Sequence, residues 1–100
     1  MIGRPRKPRI LQNEPKTKQF SPRGLRGRPG YNELKYEEVE AIRLADFAGL
    51  SQTDSARSMG ISQQTFSRTL RDGRKKLAEA LVLGRIIKVK GGDFKIERAA

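Results

Sequence analysis

From Gln52 to Arg71 the chain reads Gln-Thr-Asp-Ser-Ala-Arg-Ser-Met-Gly-Ile-Ser-Gln-Gln-Thr-Phe-Ser-Arg-Thr-Leu-Arg. Ser51, just before this stretch, and Ser62, inside it, are hydroxyl residues of the kind that cap helix N-termini. Gly60 lies between them as a breaker. The spacing predicts one helix over Gln52–Met59, a tight turn, and a longer helix from Gln63 to Leu83 that Gly84 stops. Two helices joined in this way form a helix-turn-helix when the residue types at fixed offsets agree. Ala56 supplies the small residue where the second helix crosses the first. Gly60 tolerates positive φ in the turn. Met59, Ile61 and Phe66 pin the pair together. Ser55 and Thr69 stand at offsets where aliphatics are usual, and Leu70 takes up part of that packing. A plain helical hairpin would share the glycine turn, but not the joint agreement of cap, small residue and apolar offsets.

The opening face of the longer helix is polar, as a helix entering the DNA major groove requires. Ser62, Gln63, Gln64, Ser67, Arg68 and Arg71 are the expected base readers. Gln pairs bidentately with adenine and Arg with guanine, while Ser reaches bases or phosphates. Ser51, Gln52, Thr65, Arg74, Lys75 and Lys76 are the expected backbone contacts. Farther along, Phe66, Leu70, Leu77 and Leu81 fall on one face, and Gly73 is a weak point of about 1 kcal/mol relative to Ala.

Upstream, Val39, Ile42 and Ala45 recur at helical spacing, with Leu44 and Phe47 widening the stripe. This predicts a first helix over Tyr36–Phe47 that Gly49 closes. Glu37 and Glu38 suit its N-terminus, and Glu37, Glu38 and Glu40 read as a solvated acidic face. Downstream, Gly91-Gly92 predicts a two-residue hairpin loop. Val89 then faces Phe94, Ile87 faces Ile96, Lys90 faces Asp93, and Lys88 faces Lys95. The expected organisation is mainly α. A basic Pro/Gly-rich arm spans residues 1–30, with a short strand considered at Lys16–Phe20. A three-helix helix-turn-helix domain spans 31–84, and a β-hairpin tail spans 85–100.

Charge follows this division. The chain has 100 residues and a net charge of +11, from 22 basic and 11 acidic residues. Residues 1–30 hold nine bases and one acid, Glu14, together with all five prolines and four of the ten glycines. Such composition predicts an arm extended and disordered without its partner. Residues 31–50 are net −3, whereas 51–84 and 85–100 are each net +3. The surplus implies a polyanionic partner. In the arm, Gly3-Arg4-Pro5 and Arg26-Gly27-Arg28-Pro29 share a Gly-Arg-Pro core that resembles the AT-hook. Arg4, Arg6, Lys7, Arg9, Arg26 and Arg28 are accordingly expected at a narrow minor groove or at phosphates.

With no cysteine and no histidine, disulfides, Cys/His zinc sites and histidine-dependent nucleophile systems are excluded. No paired-carboxylate arrangement stands out, and the expectation is a non-enzyme with no cofactor and no metal. The longest apolar run, Ala80–Leu83, is far too short to span a membrane. No signal peptide is visible, so a cytoplasmic, nucleoid-associated protein is expected.

The stretch Met59-Gly-Ile-Ser-Gln-Gln-Thr-Phe-Ser-Arg-Thr-Leu-Arg-Asp-Gly-Arg-Lys-Lys-Leu-Ala-Glu-Ala-Leu81 looks like the helix-turn-helix of sigma-factor region four. More broadly, the chain resembles a functionally uncharacterised prokaryotic family of small proteins that carry this motif. Arg-Pro-Arg-Lys-Pro-Arg from Arg4, Glu-Pro-Lys-Thr-Lys-Gln-Phe-Ser-Pro-Arg-Gly from Glu14, Glu-Val-Glu-Ala-Ile-Arg-Leu-Ala-Asp-Phe-Ala-Gly-Leu-Ser-Gln from Glu38 and Gly-Arg-Ile-Ile-Lys-Val-Lys-Gly-Gly from Gly84 carry the likeness across residues 4–92. The resemblance implies DNA binding and transcriptional regulation without enzymatic activity. Some members append a domain similar to those that bind the nitrogenase iron–molybdenum cofactor; these 100 residues contain none. Lys35 stands where the family tends to place a Ser or Thr cap, which implies a ragged start to the first helix.

Two other readings share the charge. One is a basic RNA- or ribosome-associated protein, against which the helix-turn-helix and the shortage of aromatics argue. The other is a module docking on RNA polymerase through Glu37, Glu38 and Glu40. A homodimer on double-stranded DNA is expected, because one reading helix buries little DNA surface. Ala80, Leu81, Leu83, Ile86, Ile87, Val89, Phe94 and Ile96 are its candidate surface. In a monomer the same cluster packs on its own helices, with Lys16–Phe20 as a third strand.

Overall fold

The serine caps form as their positions dictate. In the computed structural model, which describes residues 8–24 and 29–97, Ser51 Oγ accepts from Asp54 N at 3.1 Å and Ser62 Oγ accepts from Thr65 N at 3.1 Å. Between these caps runs a helix over Gln52–Met59, and after the second runs one over Gln63–Leu83. Gly60 and Gly84 end them at φ +66° and +67°, a conformation that costs a side-chain-bearing residue about 1 kcal/mol or more.

The first helix departs from expectation. Regular α-helix, α1, covers Tyr36–Ile42, and Arg43–Phe47 continue it as a π-helical turn. Ala48 N donates to Arg43 O at 2.8 Å, closing the wider ring. The added residue rotates Phe47 off the stripe: Leu44 is buried, while Phe47 is 86% exposed. The α1 start is not ragged: the Glu38 carboxylate accepts from Lys35 N at 2.8 Å, the reciprocal bond of a capping box, and Glu38 N and Val39 N donate to Lys35 O at 3.0 and 3.1 Å. The two later helices are α2 (Gln52–Met59) and α3 (Gln63–Leu83).

The arm and tail are corrected more deeply. Residues Arg9–Leu11 form strand β1, Gln19–Phe20 form β2 and Tyr31–Leu34 form β3. Ile86–Val89 (β4) and Phe94–Ile96 (β5) follow α3. β4 and β5 do not pair with each other. β5 runs parallel to β1, with Arg9 opposite Phe94 and Leu11 opposite Ile96. β4 is the centre of a second sheet, antiparallel to β2 and parallel to β3. The Lys16–Phe20 segment thus does supply a strand, shortened to Gln19–Phe20.

Local and non-local forces explain the missing hairpin. A two-stranded hairpin is marginal alone, and this one would have set Lys88 against Lys95. In the fold Lys88 lies opposite Glu33 and Gln19 instead. The Gly91-Gly92 loop folds over the start of α1, where Gly91 O accepts from Tyr36 N at 3.2 Å and the Glu37 carboxylate accepts from Asp93 N at 3.3 Å. Gly92 sits at φ +107°, where a side chain is strained, and a Cβ there would also displace the Glu37 carboxylate, 1.9 Å away at Oε1.

The acids of α1 are not a solvated face. Glu37, Glu38 and Glu40 are 3–6% exposed. Glu40 accepts from Gln12 N at 3.0 Å and from Arg43 Nε at 2.7 Å, which fixes the chain leaving β1. Glu38 takes the Lys76 ammonium on both oxygens at 2.9 Å. These carboxylates seat the arm, the tail loop and α3 against α1. Their burial removes the surface on which an RNA polymerase docking role had been placed.

Leu11 of β1 is fully buried with Ala41, Leu44, Ala56, Met59, Phe66 and Leu70. An arm residue therefore belongs to the core, and the expectation of disorder fails over the strand segments. Composition alone could not show this, because the partner strand β5 comes more than 80 residues later. Gly73 also changes meaning. It is buried where α3 crosses α1, and a Cβ there would lie 3.1 Å from Glu38 Cβ. At the end of α3 the stripe shifts: Ala80 is buried, and Leu81 is 74% exposed. Ala80 and Val89 are thus used internally, and Phe94 stacks on Tyr36 at 4.4 Å, which takes them out of the expected dimer cluster.

Candidate nucleic-acid interface

The two serine caps start α2 and α3 close together, and polar side chains tie the starts. Ser67 Oγ donates to Gln52 Oε1, and Thr53 Oγ1 donates to Gln63 Oε1 at 3.2 Å. Ser62 Oγ donates to Thr65 Oγ1 at 2.9 Å, and Thr69 Oγ1 donates to Thr65 O at 2.9 Å. Ser51, Gln52, Ser62, Gln63, Thr65 and Ser67 thus form a hydrogen-bonded frame. Thr53 was not singled out in the sequence, although its fixed offset from Gln63 is a local signal.

Outward from this frame stand Gln64, Arg68, Arg71 and Lys75, all exposed. Their spacing of four, three and four places them along one stripe of α3. Arg71 Nε is 3.9 Å from Asp72 Oδ1, a weak pair with both side chains more than half exposed. The first turn of α3 holds no acid. Its unsatisfied N–H groups and helix dipole favour an incoming anion.

Two of the expected backbone contacts are spoken for. Arg74 grips Asp46 bidentately, at 3.0 and 2.6 Å. The guanidinium holds the Asp46 carboxyl below its usual range, and the carboxylate raises Arg74 in return. Lys76 turns inward to Glu38, and its carbonyl accepts from Asn32 Nδ2 at 2.9 Å. Both pairings join residues 28 and 38 positions apart, so nothing in the local sequence marks them. Lys75 remains outward.

Arg9 begins β1 beside the reading stripe. It lines a polar cleft of about 270 Å³ in which Lys35 and Arg68 stand with Thr65, Thr69 and the carboxylates of Glu37, Glu38 and Asp72. Lys35 was not expected there. Arg4, Arg6, Lys7, Arg26 and Arg28 lie outside the described residues. Gly30, two residues after Arg28, sits instead at the far end of α3, where its carbonyl accepts from Ile86 N at 2.9 Å. Among the described residues, no three acidic side chains cluster to hold a metal ion, and no helix is long and apolar enough to cross a membrane.

Comparison with known proteins gives a consistent family. The family model described as "Protein of unknown function DUF134" matches residues 1–97. A UPF0251 protein of Desulforudis audaxviator is 47% identical over 97 residues, covering 93% of this chain and 61% of the relative. One from Methanococcus maripaludis strain C7 is 41% identical over 95 residues, covering 94% of this chain and 73% of the relative. One from Chlorobaculum tepidum is 44% identical over 98 residues, covering 97% of this chain and 50% of the relative. The chain thus spans half to three quarters of the length of these relatives. No solved structure matches it significantly. With nearly all of its residues inside the family match, the chain belongs to the DUF134/UPF0251 family of prokaryotic proteins.

Proposed function

We propose that this domain binds double-stranded DNA sequence-specifically, as a transcriptional regulator, with α2 and α3 acting as a helix-turn-helix. The observation that carries the reading is the stripe Gln64, Arg68, Arg71 and Lys75, exposed on a helix whose Gln63 and Ser67 are bonded to Thr53 and Gln52 of α2. Gln64 and Arg68 suit adenine and guanine edges, and Arg71 and Lys75 lie where the groove wall brings phosphates. The frame fixes how α3 sits on α2, so the helix that carries the readers is positioned before DNA arrives. Ser62, Gln63 and Ser67 act mainly by setting that frame.

Arg9 extends the surface toward the arm. In this reading Arg4, Arg6 and Lys7, which precede it in sequence, add counterion release or enter the adjoining minor groove.

The test is a pair of substitutions on a site selected from random duplexes. Arg68→Ala and Gln64→Ala should each lose about 1–3 kcal/mol on the selected site and much less on scrambled duplex. Equal losses on both would leave only backbone contact. Tighter binding to a structured RNA than to any duplex DNA would replace the reading altogether.

A further inference from the structure

At the opposite end of α3 from Gln63, the chain leaves an apolar surface open. Leu81, Val82 and Leu83 are 74%, 81% and 62% exposed, while Ala80 between them and the core is buried. The last turn is therefore apolar on every side, a pattern that belongs to buried helices. Alongside runs a groove of about 740 Å³ walled by Phe20, Val39, Ile42, Phe47, Leu77 and Leu81. Phe47, turned outward by the π-helical turn, stands at its edge.

We propose that this groove and the last turn of α3 are the interface of a homodimer, each protomer seating its Leu81–Leu83 turn against the partner's groove. Area supports a second copy. The exposed parts of Phe20, Phe47, Leu81, Val82 and Leu83 amount to roughly 500 Å² of apolar surface, the apolar share of a standard interface of about 800 Å² per partner. Charge supports it too. One cation, the exposed Lys16, lines the groove; beyond it Arg74 pairs with Asp46 at 2.6 Å, Arg85 with Glu79 at 3.2 Å and Lys18 with Glu14 at 2.8 Å. With a single lysine outside these pairs, the rim repels a second copy far less than the net charge of +11 would suggest. Shape completes the case. One chain carries both the projecting turn and the groove, and a two-fold axis fills both at once.

The consequence for DNA rests on the function proposed above. Leu81 lies about 27 Å along the helix from Gln63. Two α3 helices meeting at Leu81 bring their reading ends one DNA turn, about 34 Å, apart when they diverge by about 80°.

Light scattering on the full chain at micromolar concentration, without DNA, should give twice 11.3 kDa. Leu81→Arg, Phe47→Ser and Val82→Glu alter exposed side chains, so each should give a monomer with an unchanged far-UV spectrum and a melting temperature that no longer rises with protein concentration. A monomeric wild-type chain would hand the groove to another occupant and overturn the proposal, as would a dimer surviving all three substitutions. On duplexes, the Leu81→Arg chain should bind one half-site as wild type does and lose at least tenfold on a two-half-site duplex. A dimer that binds no DNA sinks the functional reading and leaves the interface standing; a monomer that reads DNA does the reverse.

Discussion

Replacing Gly73 by alanine sets two effects of known size against each other. The backbone at Gly73 is helical and has no positive φ, so alanine meets no conformational barrier. Helix propensity alone then favours the substitution by about 1 kcal/mol. The added methyl, however, would sit 3.1 Å from Glu38 Cβ, 3.3 Å from Ile42 Cδ1 and 3.4 Å from Glu38 O. The Ile42 methyl is the far end of a flexible side chain and can give way. Glu38 cannot do so cheaply, because its carboxylate is held at 2.9 Å by Lys76 and at 2.8 Å by Lys35 N. Relief requires α1 to move by several tenths of an ångström, and overpacking of this kind costs about 1–3 kcal/mol. The expected net loss is about 1 kcal/mol, or roughly 5 °C in melting temperature for a domain of this size. Thermal and urea unfolding followed by circular dichroism would measure it. Ala78→Gly, at an exposed position of the same helix, supplies the propensity term by itself. A Gly73→Ala chain that melts higher than wild type would refute the close-approach argument and leave Gly73 as a mere weak point.

Three further outcomes are expected. Glu40→Ala leaves Gln12 N without its acceptor and the Arg43 guanidinium with only Gln12 Oε1, at 2.6 Å, and should cost about 3 kcal/mol in urea unfolding; a loss under about 1 kcal/mol would mean that the buried carboxylate does not seat β1. Asp46 has a lowered carboxyl pKa, so its pairing stabilises the fold above the ordinary Asp range and is lost as pH falls through the folded value. Asp46→Asn should therefore flatten the acid limb of stability, cost less than about 1 kcal/mol at neutral pH because the pair is exposed, and steepen the salt dependence of DNA binding by up to about 0.9 as Arg74 is freed; an unchanged slope would place Arg74 away from the DNA. Removing residues 1–7 should flatten that salt dependence while the melting temperature holds, whereas removing residues 1–12 should unfold the domain by taking Leu11 from the core; equal melting temperatures for the two truncations would contradict the β1–β5 pairing.

What the sequence determined by itself was whatever depends on near neighbours. The hydroxyl caps Ser51 and Ser62, the terminating Gly60 and Gly84, and the 3.6-residue spacing fixed both bounds of α2 and α3, because capping and breaking are completed within one helical turn. The polar stripe of α3 was legible for the same reason: its order along one face follows from helix geometry alone. Only the tertiary structure decided the rest. Leu11 looks like part of a disordered basic arm until β5 arrives to pair with β1. Gly91-Gly92 looks like a hairpin loop until Glu37 captures it. The three glutamates look solvated until Lys76, Arg43 and the backbone of residues 12, 35 and 93 converge on them. The same convergence sorts the candidate DNA contacts, turning Arg74 and Lys76 toward Asp46 and Glu38 and leaving Arg68, Arg71 and Lys75 outward. A buried carboxylate needs its partners in space, wherever they lie along the chain, and local periodicity carries no record of them.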